Sequence, residues 1–212
     1  MNVRTLSLLA DFLDEEFAWR RKELTAVQTD VRSGIGENKR ARIRSGVALL
    51  YAHWEGFVKQ SAEAYLAYIA TRDLRLDELQ PGLLSLCLRT KLRDFTSTHD
   101  VSVHIAFLEF VTTQLGDKAK MPTTGAVHTG GNLNSELLKR IVLTLGLDYA
   151  PYELKENLLD SQLLNWRNKI AHGKGYYPDE TEFESLYAEV TVLLRTFKDQ
   201  VSNAAALKTY RK

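Results

Sequence analysis

The chain has 212 residues, a formal net charge of +1, and 44% hydrophobic against 26% charged residues. Those values suit a globular protein with one filled core and exclude a disordered or fibrous chain. The near-neutral balance lacks the overall basic field of many nucleic-acid binders, so any such binding has to be local. The lone cysteine, Cys87, excludes an internal disulfide and a cysteine-rich zinc site.

The first apolar run, Leu6 to Ala10, is cut at once by Asp11, Asp14, Glu15 and Glu16, unlike a secretory signal. No stretch nears the roughly 18 uninterrupted apolar residues of a membrane span. These features predict a single domain over residues 1–212 that works in the cytoplasm, with no membrane partner. From Leu6 to Val31, Leu9, Phe12, Leu13, Phe17 and Leu24 recur at helical spacing, and Ser33-Gly34-Ile35-Gly36 breaks the pattern. From Asn38 to Ala70, a stripe of Ile43, Val47, Leu50, Trp54, Phe57, Ala62, Tyr65, Leu66 and Ile69 predicts the longest helix and the spine of a bundle. Just ahead of it Lys39, Arg40, Arg42 and Arg44 form a basic cluster, read either as a solvated helix start or as a binding patch.

Pro81-Gly82 opens a third helix to about Phe95; Cys87 lies there among Leu83, Leu84, Leu86 and Leu88, which predicts a core position. Val101 to Leu115 reads as a fourth. Residues 116–133 collect Pro122, Gly125, Gly130 and Gly131, and form the one long loop, of a length that often serves function. Asn134 is placed to cap Ser135 to Leu145, which stops at Gly146. Pro151 starts a stretch that runs, with a break near Asp160, to His172, and Asp179 or Thr181 caps a last helix through Phe183, Leu186, Tyr187, Val190, Leu193, Leu194, Phe197 and Val201. No segment alternates as a strand does. The fold class is all-α, a bundle of six or seven helices.

The segment Arg167-Asn168-Lys169-Ile170-Ala171-His172-Gly173 places a fixed cation, a carboxamide and an imidazole near a helix-stopping glycine. An imidazole moves protons near neutral pH, and a guanidinium holds charge developing on a phosphoryl group. Asn168 and His172 are four residues apart and share a helix face, whereas Arg167 and His172 are expected to flank a groove, across which an extended arginine can still reach. The other reading is a basic helix end whose histidine caps carbonyl groups. An arginine followed after four to six residues by a histidine decides little by itself, since Arg93 and His99 also satisfy that range with five residues between them. His53, His104 and His128 stand in no metal-ligand spacing, so neither metal nor cofactor is expected. Trp54 and Trp166 read as core residues before base-stacking ones.

The Arg-Asn-x-Ile-Ala-His-Gly segment resembles the R-x(4-6)-H signature of the HEPN superfamily of helical domains. Leu50-Tyr51-Ala52-His53-Trp54-Glu55-Gly56-Phe57-Val58-Lys59 is similar to the W-E-G-F helix of MAE-type HEPN-like nucleases, as is Asn132-Leu133-Asn134-Ser135 before the helix ending Leu145-Gly146-Leu147. The resemblance spans roughly residues 40 to 200. It implies a HEPN-like bundle acting as a metal-independent endoribonuclease of toxin or antiviral-defence type. In that reading the chain cleaves RNA by 2′-hydroxyl attack to 2′,3′-cyclic phosphate and 5′-hydroxyl ends. It further implies Arg167 and His172 as catalytic residues with Asn168 in support, Lys169 beside them, a homodimer that joins two motifs, and an antitoxin or regulatory protein as a further partner.

Some HEPN ribonucleases carry an E-x3-K pair, which Glu55 and Lys59 match in spacing; the plain alternative is a surface ion pair worth about 0.2–0.5 kcal/mol. The alternative function is a non-catalytic HEPN domain that binds RNA, a nucleotide or a partner protein.

Overall fold

In the computed structural model, residues 3–212 are described; Met1 and Asn2, the first residues of the expected 1–212 domain, lie outside them. Three long helices carry the architecture: α1 (Leu6–Ser33), α2 (Gly36–Ala70) and α9 (Glu180–Leu207). Each packs on the other two. Between α2 and α9 the chain forms α3 (Pro81–Cys87), α4 (Arg89–Ser97), α5 (Val101–Thr113), α6 (Ser135–Thr144), α7 (Ala150–Glu153) and α8 (Asn165–Ala171), with a π-helical stretch at Leu158–Leu164. Apart from two isolated bridges, no β-structure occurs among the described residues. No described helix is long and apolar enough to cross a membrane.

The all-α expectation holds, and the helix count rises above six or seven because two expected helices are subdivided. The Pro81–Phe95 segment divides at Leu88 into α3 and α4. The Pro151–His172 segment divides into α7, the π-helical stretch and α8, with the expected break at Asp160 realised as a change of helical pitch.

The α2 stripe is buried throughout, from Ile43 to Ile69, as are Leu9, Leu13 and Leu24 of α1 and Phe183, Leu186, Val190, Leu193, Leu194, Phe197 and Val201 of α9, whereas Tyr187 of the α9 stripe is half-buried. Phe12 and Phe17 are only half-buried. Gly46 leaves room on α2 for Phe183 of α9: a Cβ there would lie 2.6 Å from a Phe183 ring carbon. Cys87 is half-buried at the core edge, and burial pushes its thiol up to about 11. Of the two caps proposed for α9, Asp179 is the one used: it accepts the Glu182 N–H at 2.8 Å, and the Glu182 carboxylate accepts the Asp179 N–H at 2.8 Å. Asn134 caps α6 by accepting the Leu137 N–H at 2.8 Å.

Candidate functional site

The motif is built by what precedes and follows it. The Asp160 carboxylate accepts the Ser135 N–H at 2.7 Å and the Ser135 hydroxyl at 2.6 Å, tying the π-helical stretch to the start of α6. From there α8 buries Trp166, whose ring meets that of Tyr176 at 5.6 Å. The next residue, Arg167, is thereby directed toward α2.

At the other end of α8 the Gly173 N–H donates to the Ile170 carbonyl at 3.1 Å and the Lys174 N–H to that of Lys169 at 2.9 Å. This is the glycine-terminated double bond of a Schellman ending, and Gly173 takes the left-handed conformation it needs, φ +67°. The His172 N–H donates to the Asn168 carbonyl at 3.0 Å. Backbone donors therefore satisfy the last carbonyls, and the imidazole is not needed as a cap. The His172 side chain is exposed.

Arg167 is held on four sides. Nη1 donates to Asn168 Oδ1 at 2.7 Å, and Nη2 donates to the Gly131 carbonyl in the long loop. Nη2 also stands 4.0 Å from the Glu55 carboxylate, and the guanidinium carbon lies 4.0 Å from the centre of the Tyr51 ring. Its side chain keeps 21% of its exposure and that of Glu55 16%, a partly desolvated setting in which a cation is strengthened toward an anionic ligand.

Tyr51 ties this arrangement to the loop, because its hydroxyl accepts the buried Leu133 N–H at 2.7 Å. Burial pushes the Tyr51 phenol up to about 12; the Glu55 carboxylate adds to the rise, while the Leu133 N–H and Arg167 oppose it.

Of the sequence-predicted residues, Arg167, Asn168 and Glu55 come together, and His172 sits one turn beyond on the solvent side. No hydrogen bond or ion pair joins Arg167 to His172. Lys169 lies with its Nζ 4.4 Å from the Tyr176 ring centre. Glu55 faces Arg167 and makes no ion pair with Lys59, so the plain surface-pair reading of those two is replaced by a contact between helices. Two contributors escaped sequence reasoning. Tyr51 stands one turn before Glu55 on the same helix, a spacing that marks it in the sequence; Gly131 acts through its carbonyl, which leaves no mark there.

Among the described residues no group of three or more His, Cys, Asp or Glu is arranged to hold a metal ion. The family model described as RiboL-PSP-HEPN matches residues 15–203, which takes in every residue of this site. It shows membership of the HEPN superfamily; the MAE-type likeness rests on the residues around Trp54 and on Asn132–Ser135. No curated protein and no solved structure matches the chain.

Proposed function

Because the chain belongs to the RiboL-PSP-HEPN family, we propose that it is a metal-independent endoribonuclease with Arg167 and His172 as its catalytic residues and Asn168 in support. The observation that carries this reading is the division of labour at the end of α8. One cation is fixed by Asn168, Gly131, Glu55 and Tyr51, and one imidazole stands free in solvent at the next turn.

His172 takes the proton from a ribose 2′-hydroxyl, whose oxygen forms a bond to the adjacent phosphorus. Arg167 stabilises the charge gathering on the phosphorane oxygens. The bond to the 5′-oxygen then breaks, and that oxygen takes up a proton, leaving a 2′,3′-cyclic phosphate and a 5′-hydroxyl. One motif offers a single imidazole for two proton transfers. A homodimer supplies the acid as His172 of the partner subunit, and the exposure of His172 supports that pairing. In the cytoplasm such an activity would act as a toxin or antiviral effector, restrained by an antitoxin or regulatory protein.

The test is incubation of purified protein with single-stranded RNA in a chelator, alongside Arg167→Ala and His172→Ala. The wild type gives cyclic-phosphate ends and arrests growth on expression, and both variants lose at least a hundred-fold in rate, the usual order for an acid–base group. Equal cleavage by His172→Ala, or intact RNA with the wild type, overturns the reading. One observation favours the alternative of a binding domain without catalysis: two arms of Arg167 are already engaged by Gly131 and Asn168. That alternative predicts RNA, nucleotide or partner binding with no new RNA ends.

A further inference from the structure

The basic cluster at the start of α2, distant in sequence from the motif, is folded against the segment that leaves it. Arg44 Nη1 donates to the carbonyls of Lys174 at 3.0 Å and Tyr176 at 2.8 Å. Its guanidinium carbon lies 5.0 Å from the centre of the Tyr177 ring, and that of Arg40, one turn earlier on the same helix face, 5.9 Å away. Both arginines reach the ring from the α2 side, and Tyr177 remains 58% exposed. A large aromatic ring is thus held in place by cations and left open to solvent, beside a hollow of about 430 Å³ bounded by Lys39, Arg40, Tyr177 and Asp179.

The charges around it are unevenly matched. Lys39 is ion-paired with Glu180 and Arg40 with Glu37 at 2.6 Å, while Asp179 is occupied as the α9 cap. The Arg40–Glu37 pair is a surface pair with both side chains mostly exposed, a class of interaction easily exchanged for a phosphate. Arg44, Lys169 and Lys174 make no ion pair among the described residues. From His172 to Tyr177 is five residues, at most about 18 Å of extended chain. Unpaired cations therefore run from the motif to an open ring over a short distance, the arrangement that single-stranded nucleic acid occupies with phosphates on the cations and a base on the ring.

We propose that Tyr177, backed by Arg40 and Arg44, is a stacking subsite for an unpaired base of single-stranded RNA whose backbone continues along Lys174 to the Arg167–His172 site. This rests on the RNA-directed reading above. Duplex RNA keeps its bases stacked inside the helix and offers none to the ring, so the subsite selects single strands.

The experiment measures binding of a fluorescent 2′-O-methyl oligoribonucleotide by anisotropy, which removes the attacking hydroxyl and makes the result independent of cleavage. Tyr177→Ala weakens binding about ten-fold, the loss of one stacked base, while Tyr177→Phe stays within about two-fold of wild type. Arg40→Ala weakens binding and lowers the salt slope by about 0.7, the single-strand value for one phosphate contact. A duplex of the same sequence shows no dependence on Tyr177. Wild-type affinity in Tyr177→Ala, equal losses in the Ala and Phe variants, or an effect of Tyr177→Ala on self-association or protein capture without an effect on RNA, overturns the subsite. Tyr177-dependent binding by a wild type that leaves RNA uncut upholds it while removing the nuclease; cleavage by a protein whose binding ignores Tyr177 does the reverse.

Discussion

The guanidinium of Arg167 lies over the ring of Tyr51, 4.0 Å from its centre, while the hydroxyl of that same tyrosine accepts the Leu133 N–H at 2.7 Å. One side chain on α2 thus supports the proposed catalytic cation and fastens the end of the loop whose Gly131 carbonyl binds that cation from the other side. Tyr51→Phe separates the two roles. The ring stays, and the buried Leu133 N–H loses its acceptor at a cost of about 1–3 kcal/mol. Urea unfolding should show that loss, with RNA cleavage falling only a few-fold; an unchanged midpoint would mean that the hydrogen bond contributes nothing.

Glu55 and Lys59 should behave differently. Glu55 stands 4.0 Å from Arg167 with little solvent between the helices, so Glu55→Gln removes a charge that orients the guanidinium. A cleavage rate about ten-fold lower is expected, equivalent to about 1.4 kcal/mol of transition-state stabilisation. Lys59→Ala should leave the rate within about two-fold, since it forms no ion pair with Glu55. Rate measurements in which the two variants lose activity equally would restore a Glu–Lys functional pair.

Gly173 ends α8 at φ +67°, where a side chain is disfavoured by about 1–2 kcal/mol. Gly173→Ala should lower stability by about that amount, and Gly173→Asn by less, because asparagine tolerates the left-handed region. His172 hangs directly on this turn, so cleavage should drop further than stability accounts for. Thermal melts together with rates below the transition would expose any variant in which the two fall in proportion.

Stability should also fall on mild acidification. His53 is buried on the far face of α2 from Tyr51, with its Nε2 3.1 Å from the Glu23 carboxylate, its ring 5.3 Å from that of Trp19, and Arg20 nearby. Burial lowers its pKa below the ordinary 6.5; Glu23 opposes the shift and Arg20 adds to it. The unfolded chain therefore takes up a proton at a higher pH than the folded one. Stability is complete above about 7.5 and declines as pH falls through the unfolded value toward the folded one. Urea midpoints at pH 7.5 and 5.5 should differ more in wild type than in His53→Gln. An equal difference in both proteins would assign the slope to carboxylates such as Glu184, which Arg32 holds below the usual range.

Much of the fold was legible because burial and helical periodicity are local in sequence. The α2 stripe, the Asn134 cap and the helix-stopping Gly173 all appear as spacing. The subdivision near Asp160 was visible as a break, while its form depended on Ser135, twenty-five residues earlier, donating two hydrogen bonds to the Asp160 carboxylate. Nothing in the local pattern of either segment records that contact.

Local residue patterning accounts for an all-α chain, its principal caps and a motif that puts arginine, asparagine and histidine at one helix end. Tertiary structure decided what surrounds the arginine. Tyr51 and Glu55 come from α2 and the Gly131 carbonyl from the loop, brought together because α8 and the π-helical stretch before it both pack on α2, with Trp166 and Leu163 buried. It also carried Arg40 and Arg44 onto Tyr177. The physical reason is the same in both places: side-chain periodicity is written within a helix, whereas cation–ring and carbonyl contacts depend on the distance between elements, which only the packed core sets.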